Sequence, residues 1–248
     1  MSEGEIRGHC MEIDRCNQRG GRMLSIIDLI DAGTVSVELA AYALAAIRQG
    51  ASFLVGAVPG GAGKTTVMGA LLNFVPDDVQ LRPADGLPAI EAAARSREPR
   101  CCCICHEIGR GPYYAYLWGD ELRAFFDLPP AGHMIATNLH ADTYEQARDQ
   151  ICGDNGVSEA ALRRMNLMLF LSVRGGFRAR RRIAAVWESD GEADHRRIFS
   201  ADRPDAPIAP TPLVTPDALA AARATVERLR ADGARTIEDA RAAIVRPA

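Results

Sequence analysis

Apolar residues recur at helical spacing in two short segments near the beginning of the sequence. Residues 25–32 predict a helix that ends at Gly33, and Ser36 predicts the N-cap of a second helix that ends at Gly50. The apolar face of the second helix holds Val37, Ala40, Leu44 and Ile47. Residues 1–22 are polar and show no such period, so we expect a flexible, irregular tail there.

Three runs of apolar residues predict buried strands at 52–56, 101–108 and 133–140. The second and third runs end in polar side chains, Glu107 and His140. Ligands gather beyond the carboxyl ends of the strands in an open parallel sheet. We therefore expect Glu107 and His140 to face the segment that follows the first of these strands.

The second half of the sequence predicts a strand pair and three further helices. Residues 165–173 and 183–187 predict two strands joined around Gly175 and Gly176. Asp142 and Glu145 form a D-x-x-E pair, which predicts a helix capped by Asp142 that runs to about Cys152. Later helices are predicted from Thr215 to Gly233 and from Thr236 onward, and the first of these has an apolar face made of Leu219, Ala222, Val226 and Leu229.

These elements divide the chain into four parts. We expect an N-terminal tail over 1–22, an α/β domain with leading helices over 23–190, a Pro-rich linker over 191–212 and a helical segment over 213–248. The expected domain has a mostly parallel sheet flanked by helices.

Length and composition narrow the class of protein. The length of 248 residues suits one α/β domain with a small appendage. The composition, with 48% hydrophobic and 25% charged residues, excludes a disordered chain, a collagen and a coiled coil. The longest apolar run, 39–47, is shorter than the roughly 20 residues that span a bilayer, and no signal-peptide pattern opens the chain. The seven cysteines are not spaced as a disulfide framework, so we expect a cytoplasmic location.

Lys64 is the single lysine among 29 lysine and arginine residues. It lies in a segment, 58–66, that matches the phosphate-loop pattern G-x-x-x-x-G-K-[ST] except for Val58 at the first position. A predicted strand precedes this loop, and a helical face follows it, made of Met68, Leu71, Leu72 and Val75. Strand, glycine-rich loop and helix are therefore in the order that a nucleotide-binding loop requires.

The chemistry of such a loop predicts ATP and Mg²⁺ as ligands. Backbone N–H groups and the helix N-terminus would face phosphate oxygens, Lys64 would reach the β and γ phosphates, and the Thr65 hydroxyl would coordinate Mg²⁺. The loop residues that we expect to bind nucleotide are Pro59, Gly60, Gly61, Ala62, Gly63, Lys64, Thr65 and Thr66.

In this order, the loop and the two polar strand ends resemble the secretion traffic ATPases, the RecA-like motors of type II and type IV secretion, type IV pili and archaeal flagella. The resemblance runs over about 24–188. Residues 98–108 are similar to the family's Walker B segment, and residues 132–141 to its histidine box. Residues 180–188 resemble its closing hairpin, and residues 25–42 the segment before the loop in the archaeal branch.

The resemblance implies a RecA-like P-loop NTPase core that hydrolyses ATP. Glu107 would orient or deprotonate the attacking water, and His140 would sense or stabilise the γ-phosphate. The family also implies a homo-oligomeric ring, with a hexamer as one of the expected sizes. It further implies an arginine finger from a neighbouring subunit, which this sequence does not identify. A membrane-embedded secretion or pilus platform protein is the implied partner, which would place this chain at the inner face of the cell membrane, and nucleic acid is not expected.

Several positions depart from the family pattern. His106 replaces the glycine before the glutamate, and the arginine after it is displaced to Arg110. The usual acidic segment is reduced to Asp85, and residues 1–51 stand where the family carries a large N-terminal domain. These departures predict a truncated and divergent member.

Three other features each have a structural and a functional interpretation. The cysteines within 101–105 are either small buried hydrophobes or part of a metal site. Residues 163–197 hold nine arginines and four acids, which indicates a solvated hairpin, a subunit contact or a nucleic-acid surface. The aromatic cluster within 113–118 packs in the core or at an interface, or stacks on adenine.

The leading hypothesis is an ATPase of the secretion-motor type that drives or regulates assembly or secretion. The alternative is a catalytically degenerate subunit that binds nucleotide and regulates a partner. A small-molecule phosphotransferase is a third hypothesis, for which the arginine-rich segment 174–182 is the one candidate lid.

Overall fold

The computed structural model describes residues 1–17, 20–58, 60–96, 99–175, 179–203 and 206–245. Its strands are β1 Phe53–Gly56, β2 Gln80–Pro83, β3 Cys101–Ile108, β4 Tyr116–Leu117, β5 Met134–Leu139, β6 Leu167–Arg174, β7 Arg180–Glu188 and β8 Arg196–Ser200. Its α-helices are α1 Glu3–Arg15, α2 Ile26–Asp31, α3 Val37–Arg48, α4 Lys64–Leu72, α5 Leu87–Arg95, α6 Asp120–Phe126, α7 Tyr144–Arg148, α8 Glu159–Arg163, α9 Pro216–Ala231 and α10 Ile237–Val245. A 3₁₀ turn spans Pro129–Ala131 and a π-helix spans Asp149–Asp154.

All the strands join one sheet in the order β2-β3-β5-β1-β6-β7-β8, and β4 pairs with the end of β3. The strands from β2 to β6 run parallel, whereas β7 and β8 are antiparallel to their neighbours. Helices cover both faces, so the predicted α/β class with a mostly parallel sheet and a helical C-terminal segment is confirmed. None of the helices in the described ranges combines the length and apolarity that crossing a bilayer requires.

The apolar core is divided by the sheet. On one face α1 to α4, α9 and α10 pack around β1 and β6, and on the other face α5 to α8 pack around β3 and β5. Because side chains alternate along a strand, Cys102 joins the first core, whereas Cys101, Cys103 and Cys105 join the second. The predicted strands at 52–56, 101–108 and 133–140 and the predicted strand pair are confirmed, although Gly176 lies outside the described residues.

Two expectations about the ends of the domain were wrong. Residues 3–15 form α1, begun by a reciprocal capping box between Ser2 and Glu5. The helix buries Ile6, Cys10 and Ile13, which are spaced to share one face, so this segment is not an irregular tail.

The expected linker over 191–212 contains a strand. β8 pairs with β7 at the edge of the sheet, and its residue Phe199 is buried in the core. The sheet therefore continues past residue 190. Pro204 and Asp205, in the middle of the expected linker, lie outside the described residues.

The predicted capping residue of the helix after β5 was also wrong. Thr143 is the N-cap of α7, and its side chain accepts a hydrogen bond from the backbone N–H of Gln146. The helix then widens into the π-helical turn over Asp149–Asp154. Asp142 is left to make a different contact, described below.

Candidate functional site

The phosphate loop connects β1 to α4 at the centre of the sheet. β1 lies between β5 and β6, so the loop emerges at the carboxyl ends of several parallel strands. Gly61 and Gly63 adopt positive φ angles of 82° and 98°, which side chains disfavour. α4 begins directly after Gly63 without a side-chain cap among the described residues, so its first N–H groups face the loop. This backbone suits an anion at the helix N-terminus.

Lys64 is 7% exposed and contacts three groups on the floor of the loop. Its Nζ donates to the Ala57 carbonyl at 3.2 Å and lies 3.2 Å from His140 Nδ1. The same nitrogen lies 3.5 Å from Glu107 Oε2. The three residues that the sequence selects as catalytic candidates are therefore in direct contact.

β3 and β5 position the other two members of this cluster. β5 pairs with both β1 and β3, so Glu107 and His140, at the strand ends, come together beside the loop. Glu107 is 7% exposed, and burial raises the pKa of its carboxyl, opposed by the positive charge of Lys64 and by His140. The His140 ring is half exposed, with Nε2 3.8 Å from Glu107 Oε2. The cluster thus combines a buried cation, a buried carboxylate and an accessible imidazole.

The end of β5 also holds the first residue of the loop. The backbone N–H of Val58 donates to Asp142 Oδ1 at 2.7 Å, and the Val58 carbonyl lies 3.0 Å from His140 Nδ1. A hydrogen on Nδ1 would be donated to that carbonyl, whereas a bare Nδ1 would accept from Lys64. His140 therefore serves either the loop backbone or Lys64 with this nitrogen at any one time.

A cavity of about 520 Å³ opens above the loop. Gly60–Thr66, Glu107 and His140 form its polar side, and Arg180 and Arg181 at the start of β7 close another side. The other lining residues are mostly apolar, among them Met23, Leu24, Leu29 and Leu171, and the polar ones are Asn17, Thr34 and Tyr116. A helix N-terminus beside a mostly apolar wall suits a ligand with an anionic end and an uncharged ring.

Every predicted site residue that the structure describes lines this cavity, and Pro59 lies outside the described residues. The sequence analysis missed Arg180, Arg181 and Asp142 as site residues. The available signal for the arginines was their density in a hairpin whose first strand, β6, pairs with the strand that leads into the loop.

Comparisons with known proteins add two structural likenesses. No protein-family model matches the chain, and a search of curated proteins finds no match. The VirB11 ATPase of the Brucella suis type IV secretion system, solved in complex with sulphate, is similar over 58% of this chain and 50% of its own, at 20% identity and a TM-score of 0.42. The Legionella pneumophila ATPase DotB is similar over 74% of this chain and 54% of its own, at 14% identity and a TM-score of 0.39. Both proteins are ATPases. The chain spans about half the length of these solved structures.

The oxygen donors beside the loop fit a magnesium ion. Thr65 lines the cavity in the first turn of α4, and Glu107 Oε1 is buried without a hydrogen-bond partner among the described residues. Mg²⁺ prefers oxygen and usually takes one or two protein ligands with water and phosphate oxygens. No group of three or more His, Cys, Asp or Glu in the described ranges could hold a metal by itself. A magnesium ion here would therefore be coordinated by the Thr65 hydroxyl together with phosphate oxygens of a nucleotide.

The cysteines of β3 and the aromatic cluster within 113–118 are the other candidate features of the sequence. Burial raises the pKa of Cys103 and Cys105 to about 12, which keeps both as thiols at neutral pH. Within the aromatic cluster Tyr116 lines the cavity, whereas Tyr113 and Tyr114 are exposed. Tyr114 packs edge-on against His106.

Proposed function

We propose that this chain binds Mg·ATP in the cavity above the phosphate loop and hydrolyses it, as a divergent ATPase of the secretion-traffic type. The observation that carries the proposal is the contact of Lys64 with both Glu107 and His140 at the N-terminus of α4. A cation, a base and an imidazole at the ends of adjacent parallel strands are the parts that phosphoryl transfer to water needs.

The mechanism follows from the contacts that Lys64, Glu107 and His140 would change when a nucleotide binds. When the triphosphate enters, Lys64 would leave Glu107 for phosphate oxygens, which are stronger acceptors with more charge. Glu107 would then be free to orient the attacking water and accept its proton, and its raised pKa makes it a better base than an exposed carboxylate. His140 would contact the γ-phosphate, and bound Mg²⁺ would supply charge neutralisation across the phosphates.

The wider assembly belongs to the same proposal. Following the family resemblance, we expect a homo-oligomeric ring that docks on a membrane-embedded secretion or pilus platform protein from the cytoplasmic side. The ATP and Mg²⁺ specificity, the oligomer and the partner are supported by the motif order.

The test is Mg²⁺-dependent phosphate release, measured against protein concentration. Lys64→Ala and Glu107→Gln should each lower the turnover about 100-fold or more, because each removes a group that acts on the transferred phosphoryl or on the water. Arg197→Ala, at an exposed position on β8, is the matched control and should keep the wild-type rate. A Lys64→Ala protein with wild-type ATP binding would refute the central assignment.

A second candidate, a nucleotide-dependent regulatory subunit without turnover, has one structural observation in its favour. Asp85, the one acid left in the shortened acidic segment, accepts a hydrogen bond from the backbone N–H of Ala115 and so serves the β3–β4 connection. For this candidate we expect ATP binding that depends on Lys64, measured by titration, and no phosphate release at any protein concentration.

A further inference from the structure

Arg181, at the start of β7, contacts the phosphate loop through its side chain. Its Nε donates to the Gly61 carbonyl at 3.2 Å, although the two residues are 120 positions apart in sequence. The stem of the side chain passes over the next turn of the loop, because a Cβ atom placed on Gly63 would lie 3.4 Å from Arg181 Cδ. The guanidinium is therefore held at the middle of the loop.

The hairpin geometry explains how a distant arginine reaches this position. β6 pairs in parallel with β1, the strand that leads into the loop, and Arg181 pairs with Val173 of β6. The first residues of β7 consequently overhang the loop from the same chain. Arg181 is exposed and has no carboxylate partner within ion-pair distance among the described residues. Its charge is available to an anion in the cavity.

The charges that face this cavity favour a ligand with several negative charges. Lys64, Arg180 and Arg181 contribute three cations, and Glu107 contributes one carboxylate. A guanidinium presents a planar set of donors that matches two oxygens of a phosphate, whereas an ammonium acts as a point charge. Lys64 and Arg181 line the same cavity, so both would hold the phosphate chain, the first as a point charge and the second through a planar set of donors.

We propose that Arg181 is a nucleotide-binding residue that contacts the phosphate chain from the same subunit. The inference rests on the proposed function, since it assumes that the loop binds a nucleotide. It assigns to the β6–β7 hairpin a part in the site, where the charge pattern by itself leaves open a solvated hairpin, a subunit contact or a nucleic-acid surface.

The experiment separates phosphate contact from simple support of the loop. In glutamine, Nε2 occupies the position of the arginine Nε, so Arg181→Gln can keep the hydrogen bond to Gly61 while it removes the guanidinium. We expect Arg181→Gln and Arg181→Ala to weaken the binding of a non-hydrolysable ATP analogue about tenfold or more, and Arg181→Lys to lose less. The salt dependence of that affinity should also become shallower in the neutral variants, because one charge no longer takes part.

Controls make each result decisive. Arg197→Ala removes an exposed arginine from β8 and should bind the analogue as the wild type does, and the binding of adenosine, which lacks phosphates, should be equal in all variants. Wild-type affinity in Arg181→Gln with a loss in Arg181→Ala would reduce the residue to a loop support and overturn the inference. Wild-type affinity in both variants, with binding lost in Lys64→Ala, would overturn it while the proposed function stands. A wild-type protein that binds no nucleotide would overturn both.

Discussion

At the scale of single residues, the choice of lysine at position 64 follows from the space around it. Its ammonium donates to the Ala57 carbonyl and lies within 3.5 Å of both Glu107 and His140, so it has three partners. A compact ammonium with three donors can serve such a site, whereas the planar fork of arginine cannot point three ways at this depth. The single lysine of an arginine-rich chain therefore occupies the position where the two side chains are least interchangeable.

His9 is a buried residue whose protonation opposes folding. Its Nε2 lies 3.1 Å from the Leu72 carbonyl at the end of α4, and the neutral ring donates to that oxygen. Burial, and secondarily the charge of Arg241, lower the pKa of His9 to about 3, from 6.5 for an exposed histidine. Between these two values the unfolded chain binds a proton that the folded chain does not, so stability falls as the pH decreases below 6.5.

We predict that this one residue accounts for a measurable part of the acid sensitivity. From pH 7 to pH 5 it should lower the free energy of unfolding by about 2 kcal/mol, and His9→Gln, which cannot titrate, should lack that part of the decline. Urea unfolding of both proteins at pH 8, 7, 6 and 5 tests this. The pH 8 comparison isolates the loss of packing, and parallel pH profiles for the two proteins would contradict the assignment.

At the scale of elements, the end of β5 and the phosphate loop form one unit. Asp142 accepts the Val58 N–H, and His140 donates to the Val58 carbonyl when its Nδ1 carries the hydrogen, so the two side chains can hold both backbone groups of one loop residue. The position is occupied by valine where the phosphate-loop pattern has glycine, and Val58 is half exposed. Asp142 and His140 together form a clamp on Val58. The clamp holds the backbone of Val58 at the start of the loop and leaves its side chain free to differ from glycine.

Removing the Asp142 carboxylate should loosen the loop. We predict that Asp142→Ala weakens nucleotide binding about fivefold to tenfold, because a charge-assisted hydrogen bond that preorganises the loop is lost. Asp142→Asn keeps an acceptor oxygen and loses a negative charge near the phosphates, so it should bind as well as the wild type or better. Equilibrium titration with the non-hydrolysable ATP analogue measures both.

Glu145→Ala, on the first turn of α7, is the matched control for a lost surface carboxylate and should bind normally. Equal affinities in the wild type and Asp142→Ala would mean that the loop keeps its conformation without the clamp.

Much of this site could be predicted because its parts are local in sequence. The motif 58–66 and the polar ends of two apolar runs place Lys64, Glu107 and His140, since parallel strands align their carboxyl ends. Asp142 and Arg181 could not be found in the same way. Their roles arise from contacts with residues 84 and 120 positions away, and no local spacing encodes such a contact.

The elements that the sequence analysis missed have weak patterns for physical reasons. α1 buries one narrow stripe and exposes the rest, so its polar composition obscured three residues at helical spacing and a capping box. β8 is an edge strand of five residues that begins with two exposed arginines and buries Phe199. Charged residues suit an edge strand because they discourage further pairing, and the same charges resemble a linker in the sequence.

At the scale of the whole molecule, α4 is held at both of its ends by distant parts of the chain. Its N-terminus carries the phosphate loop, and its C-terminal carbonyls are bound by residues of α1 and α10, which pack against each other. Arg241 of α10 is fully buried and donates to the carbonyls of Asn73, Val75 and Pro76. A cation at the negative end of a helix is favourable, and it leaves the opposite end positioned for an anion.

Replacing Arg241 should therefore lower the free energy of unfolding more than replacing most other buried residues. Burial lowers the pKa of its guanidinium to about 10, which still leaves it charged at neutral pH. Arg241→Met has a similar length and no donors, so the carbonyls after α4 lose their partner in a site that water does not reach. We predict a loss of about 2–4 kcal/mol in the free energy of unfolding, measured by urea denaturation at pH 7. Arg241→Lys should recover part of it, because an ammonium can still donate to more than one carbonyl.

The matched control is Arg230→Met, an arginine on α9 whose side chain is 57% exposed and lies 3.8 Å from Asp31. Its replacement should change the free energy of unfolding by no more than about 0.5 kcal/mol. If Arg241→Met were as stable as this control, the desolvation of the buried cation would cancel its hydrogen bonds, and the carbonyl end of α4 would need no donor. A large loss for Arg241→Met alone would instead mean that α10, through Arg241, stabilises the helix on which the phosphate loop is built.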